Sequence, residues 1–108
     1  MRRRSTLLSA AGIAALLLVA TPAAAAPRSY VVTIDKLKFG PFPTGLHKGD
    51  KIIWVNRDIL RHTATASNHS FDVDLQPGAK GATVLKSAGT ITVVCRFHPG
   101  MRGVLSVK

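Results

Sequence analysis

No glutamate occurs in this chain: its five acidic residues are all aspartate, against fifteen lysines and arginines. Cysteine occurs once, at Cys95, and methionine only at Met1 and Met101. A single cysteine excludes an internal disulfide, the device on which small exported domains commonly rely. The longest apolar run, Leu7 to Ala20, has 14 residues, fewer than the roughly 18 a spanning helix needs. There is no helical period and no internal repeat. Beyond Arg4 no run of like charge and no interleaving of basic with aromatic residues is found, which argues against a nucleic-acid partner.

What is present at the N-terminus reads as an address. Arg2-Arg3-Arg4 precedes the apolar run, and Thr21-Pro22 and the alanines Ala23 to Ala26 follow it. A basic segment, an apolar segment and a small-residue cleavage site make a secretory signal peptide. Ala23-x-Ala25 places the cut after Ala25, so residues 1–25 form the signal and residues 26–108 the exported domain. Arg3-Arg4 ahead of Leu7-Leu8 weakly resembles a twin-arginine signal, but Thr6 suits it poorly, and the general secretory route is favoured. Localisation in the periplasm follows, with no membrane insertion after cleavage. The remaining 83 residues allow one domain and one core. Without the three leader arginines, twelve basic residues face five aspartates, a net charge of about +7. Such a charge suits an acidic partner or an anionic surface, and equally plain solubility.

The two rare sulfur residues flank a histidine. Cys95-Arg96-Phe97-His98-Pro99-Gly100-Met101 carries a thiol, an imidazole and a thioether at equal spacing, so one turn can aim all three at one point. Thr90 to Val94 leads in and Gly103 to Val107 leads out, both with strand character, which puts the donors at the mouth of a hairpin-like connection. Taken singly, each residue is more often structural; a lone cysteine is usually a small buried hydrophobe. Together they supply soft and borderline donors, and a cysteine with two histidines and a weak axial methionine is the blue-copper electron-transfer set. One histidine must then come from elsewhere. Of His47, His62 and His69, only His62 stands where a loop after an apolar strand hands over to another strand.

Along the exported region the pattern is of short strands and frequent turns. Ser29 to Ile34, Lys51 to Val55, His62 to Ala66 and Ala82 to Leu85 have strand character, with Leu37 and Phe39 extending the first apolar face after a break at Asp35-Lys36. Gly40-Pro41-Phe42-Pro43, Lys48-Gly49-Asp50, Gln76-Pro77-Gly78 and Ser87-Ala88-Gly89 are breakers. Phe71 and Leu75 tuck inward from a loop. The expectation is an all-β, antiparallel sandwich of about seven strands with Greek-key connections.

Trp54-Val55-Asn56-Arg57-Asp58, His62-Thr63, Phe71-Asp72, Pro77-Gly78, Ala88-Gly89-Thr90 and Cys95 through Val104 together resemble the small cupredoxins, type 1 blue copper proteins of the plastocyanin and amicyanin type. The resemblance covers nearly all of residues 26–108, and the short ligand loop is most similar to amicyanin's. It implies one copper ion per chain held by His62, Cys95, His98 and Met101. It also implies a carrier of single electrons that makes or breaks no bond, with a partner such as a cytochrome or a periplasmic oxidoreductase bearing an acidic docking surface. The alternative is a periplasmic copper carrier or store using the same ligands, but the extra methionine or histidine clusters of many carriers are lacking. An enzyme of the multicopper kind would need a second copper site, and one cysteine does not supply it.

Two departures stand out. Many relatives have asparagine directly after the first ligand histidine, tying the ligand loops together, where this chain has Thr63; a hydroxyl can still reach the neighbouring loop. Aromatic residues often alternate before the ligand cysteine, where this chain has Ile91, Val93 and Val94, so its core there should be aliphatic. His98, beside Pro99 and Gly100, is the expected exit for the electron, with Phe97, Pro99 and Leu60 as docking neighbours.

Overall fold

The computed structural model describes residue 3, residues 11–19 and residues 25–108. Most of the basic segment, part of the apolar run and the stretch just before the expected cleavage point lie outside the described residues. Residues 11–19 form neither helix nor strand. No helix among the described residues is long and apolar enough to cross a membrane.

Among the described residues eight strands follow in order: β1 (Ser29–Asp35), β2 (Lys38–Phe39), β3 (Lys51–Asn56), β4 (His62–Ala66), β5 (Asp72–Leu75), β6 (Lys80–Val84), β7 (Gly89–Val94) and β8 (Arg102–Val107). They build two four-stranded sheets, ordered β2-β1-β3-β6 and β5-β4-β7-β8. The fold is therefore the expected all-β sandwich. The additional strand is β5: Asp72-Val73-Asp74-Leu75 alternates polar and apolar, but two aspartates depress its strand character and only pairing with β4 makes it regular. β1 and β3 run parallel, Ser29 opposite Lys51 through Ile34 opposite Asn56. That pairing needs a long crossover, and the segment through β2 and the 40–50 loop provides it.

Alternation puts one face of each strand into the interior. Val32, Ile34, Ile52, Trp54, Leu75, Val93 and Leu105 are almost completely buried and form the shared core. The Trp54 indole donates to Thr83 Oγ1 at 3.0 Å, so its one polar atom is paired across β3 and β6. Phe39 and Phe42 meet Trp54 edge to face, with centroids 6.0 and 5.7 Å away. The tip of the Phe42 ring also reaches the start of β8. A Cβ on Gly103 would sit 2.5 Å from its ring, which is why the strand leaving the ligand loop carries glycine there.

The β1–β2 connection has only Lys36 and Leu37 at its tip, with φ of 50° and 58°. Two positive φ values in succession suit a two-residue hairpin, although asparagine and glycine usually occupy them. Two carboxylates offset the strain. Asp35 accepts from the Lys36 amide at 2.8 Å, and Asp58, from the loop before β4, accepts from the Leu37 amide at 3.0 Å.

Candidate metal centre

Strand register brings the two halves of the site together. β4 and β7 run antiparallel with Thr65 opposite Val94 and Ala66 opposite Val93, so the start of β4 lies beside the end of β7. His62 opens β4 and is completely buried, and Cys95 follows β7 directly. The 95–101 loop closes on itself: Cys95 N–H donates to Met101 O and Met101 N–H to His98 O, each at 3.1 Å. Gly100 has φ of 88°, a value its lack of Cβ permits and one that turns the chain back into β8.

Within this frame Cys95 Sγ stands 3.4 Å from His98 Nδ1 and 3.8 Å from His62 Nδ1. The three donor atoms all lie within 4.8 Å of one another, and the two imidazole centroids are 4.7 Å apart. Met101 is buried and lines the same cleft as Cys95, His98 and Pro99. The structure thus brings together the four residues singled out by type and spacing, whereas His47 lies in the separate 40–50 loop and His69 in the β4–β5 turn. A thiolate, two Nδ1 imidazole atoms and a nearby thioether form a donor set that fits copper.

The surroundings tune these donors. Burial raises the Cys95 thiol's pKa, but the Thr63 and Phe97 amides, then His98 and His62, outweigh it and bring the pKa down from 9.0 to about 6. The Thr63 amide reaches Sγ at 3.4 Å. Asp58, unassigned in the sequence reading, lies 2.8 Å from His62 Nε2. Hydrogen bonds to its carboxylate, first from the Leu37 amide, then from His62, with a further one from the Ile59 amide, lower its pKa to about 2. An ionised carboxylate only accepts, so Nε2 carries a ring proton and Nδ1 is the ring nitrogen that faces Cys95. Asn56, completely buried, holds this loop by donating to Leu60 O at 2.8 Å and Leu75 O at 3.0 Å and accepting from Asp58 N–H at 2.9 Å. The only sequence sign of Asp58's role is its place four residues before His62.

Thr63 does bridge the two loops, in the sense opposite to simple donation: its Oγ1 accepts from Arg96 N–H at 2.9 Å. The strand before Cys95 packs aliphatic residues, Ile91 and Val93 being buried. At the surface beside the centre, Leu60, Arg61, Phe97 and His98 line a shallow depression. Phe97 and Leu60 are each 42% exposed, so this is an apolar patch on the rim of the site. The Arg61 and Arg96 guanidinium carbons stand 4.8 and 5.3 Å from the centre of the Phe97 ring, which holds both cations around that patch. Arg61 pairs with Asp74 and Arg96 with Asp72.

Comparisons with known proteins agree with this arrangement. The model of the cupredoxin-like domain matches residues 8–107. Amicyanin from Paracoccus versutus is 26% identical, with a TM-score of 0.60 over 74% of this chain and 81% of that one. A reduced Cu(I) form of an amicyanin variant at pH 4 is 28% identical, with a TM-score of 0.60 over 74% of this chain and 82% of that one. The Cu(I) form of another amicyanin variant is also 28% identical, with a TM-score of 0.61 over 78% and 86%. A comparison with curated protein sequences finds no match. With two packed sheets, a Cys-x-x-His-x-x-Met loop between the last two strands of one of them, a histidine from the start of the neighbouring strand and a family match over almost the whole chain, this protein belongs to the cupredoxin-like family.

Proposed function

We propose that this chain is a periplasmic type 1 copper protein that passes single electrons between redox partners, with residues 1–25 a cleavable signal peptide and residues 26–108 the working domain. The observation that carries this reading is the convergence of His62 Nδ1, Cys95 Sγ and His98 Nδ1 within 4.8 Å of one another. These three residues, with Met101, would hold one copper ion. Copper bound there supplies a Cu(I)/Cu(II) couple, and the protein makes and breaks no bond of a substrate.

The chain's own residues support that task. The thiol's lowered pKa makes Cys95 available as a thiolate. His62 is clamped from behind by Asp58 and buried, so it cannot swing when the charge at the centre changes. His98 is the half-buried donor and shares the surface depression with Leu60 and Phe97, so electrons would leave or enter there. Arg61, Arg96 and Arg102 around this face, with the net charge of the exported region, favour a partner with an acidic docking surface, such as a cytochrome or a periplasmic oxidoreductase.

The test is the visible spectrum of the purified protein titrated with Cu(II), beside a Cys95→Ala variant. An intense thiolate-to-copper band, absent from the variant and bleached reversibly by a reductant, is expected. A colourless protein that binds Cu(I) tightly and hands it to an acceptor would replace the electron shuttle with a copper carrier.

A further inference from the structure

Behind the ligand loop runs a chain of hydroxyls that ends on a surface carboxylate. Arg96 N–H lies 2.9 Å from Thr63 Oγ1, Thr63 Oγ1 lies 2.9 Å from Thr65 Oγ1, and Thr65 Oγ1 lies 2.8 Å from Asp72 Oδ1. Arg96 then returns through its side chain, Nε to the same Oδ1 at 3.1 Å. The ring therefore starts and ends on the residue next to Cys95. Thr63 is completely buried, Thr65 is 9% exposed, and Asp72 stands at the surface.

The direction of every bond in this ring is dictated by its two ends. A backbone amide can only donate and an ionised carboxylate can only accept. Thr65 must therefore spend its proton on Asp72 and accept from Thr63, and Thr63 must spend its proton on Thr65. Thr63 Oγ1 is left with lone pairs for the Arg96 amide. Hydrogen bonds aligned head to tail polarise one another, and the charged end strengthens the series. Without an acceptor at position 72 the two buried hydroxyls lose this order, and Thr63 no longer has an assigned place for its own proton.

We propose that Asp72 is a positioning residue for the ligand loop: through Thr65 and Thr63 it orients the hydroxyl that holds the Arg96 amide, and so keeps Cys95 beside His62. This inference rests on the copper reading only for its consequence at the metal; the relay itself belongs to the protein chain. Thr63 also supplies the amide that reaches Cys95 Sγ at 3.4 Å. Loosening Thr63 weakens that bond, leaves more charge on sulfur and favours Cu(II), so the reduction potential falls.

The experiment follows amide hydrogen exchange by NMR in the metal-free protein and the reduction potential in the copper-loaded protein. Asp72→Ala should speed exchange at the Arg96 amide by about tenfold, the weight of one lost hydrogen bond of this kind, with the Leu105 amide unchanged, and should lower the potential. Thr65→Val should do the same. Asp72→Asn keeps an acceptor oxygen and should restore both readings. Asp74→Ala removes another surface negative charge, outside the relay, and should leave the Arg96 amide within about twofold of the unmodified protein. The proposal is overturned if Asp72→Ala leaves the Arg96 amide unmoved, if Asp74→Ala moves it as much, or if all amides quicken together. A protein that shows no thiolate-to-copper band refutes the copper reading, while the exchange comparison still decides the relay.

Discussion

Asp58 Oδ2 lies 2.8 Å from Nε2 of His62, on the far side of the imidazole from Cys95. The same carboxylate accepts from the Leu37 amide at the strained tip of the β1–β2 hairpin. One side chain thus ties the buried donor of the centre to the opposite sheet. Removing it should matter to a metal it never touches. Asp58→Ala is expected to weaken Cu(II) binding by about 10- to 100-fold, as loss of a carboxylate behind a ligand histidine typically does. It should also raise the reduction potential, because a nearby negative charge stabilises the more highly charged Cu(II). Competition titration and voltammetry check the two effects, and Asp58→Asn should fall between.

Cys95 makes the metal-free protein sensitive to pH. Its pKa is about 6 when folded, against 9.0 for an unperturbed thiol. Alkylation by iodoacetamide should therefore show an apparent pKa near 6, where an ordinary thiol is still protonated. The sign for stability follows from the lowered folded pKa: the thiolate's contribution is complete above about pH 9 and lost as pH falls through about 6. Unfolding free energy should rise across that window by at most about 1.4 kcal/mol per pH unit. Cys95→Ser, whose hydroxyl does not ionise there, should abolish that component of the slope in denaturant titrations.

Gly103 sets how closely β8 approaches the aromatic cluster. A Cβ added there would lie 2.5 Å from the ring of Phe42, and Phe42 packs edge to face against both Phe39 and Trp54. Gly103→Ala should cost about 1–3 kcal/mol of stability, as overpacking typically does. Pairing it with Phe42→Leu should recover part of that loss. Chemical denaturation of the two variants provides the check.

Charge around the half-buried donor His98 should govern encounter. With the net charge of residues 26–108 positive, oxidation of the reduced copper protein by an anionic complex such as ferricyanide should slow as salt is added. Arg102, exposed beside Met101 and the cleft, is the clean place to reverse the charge. Arg102→Glu should lower the low-salt rate by about three- to tenfold and flatten its salt dependence, measured by stopped flow. An unchanged rate would remove this face from the encounter.

Much of this was legible before folding because it is local. The equal spacing of Cys95, His98 and Met101 needs only a tight loop, and the turn residues around short alternating runs suffice for an all-β sandwich. β5 was less legible: its two aspartates read as loop, and they act instead as partners, Asp72 for Thr65 and Arg96, Asp74 for Arg61. Thr63 was visible as a bridging hydroxyl, but its role as acceptor depends on Arg96 being 2.9 Å away.

By itself, then, the sequence determined the donor types, the local spacing of three of them and the class of fold, since periodicity and turn chemistry act between neighbours. His62 could be picked from its place at a strand boundary, but only the β4–β7 register brings its Nδ1 to Cys95. Asp58 behind His62, the relay from Arg96 to Asp72 and the close fit of Gly103 on Phe42 were decided by tertiary structure alone. Hydrogen bonds and packing contacts reach only a few ångströms, so residues tens of positions apart acquire them only after the two sheets have closed.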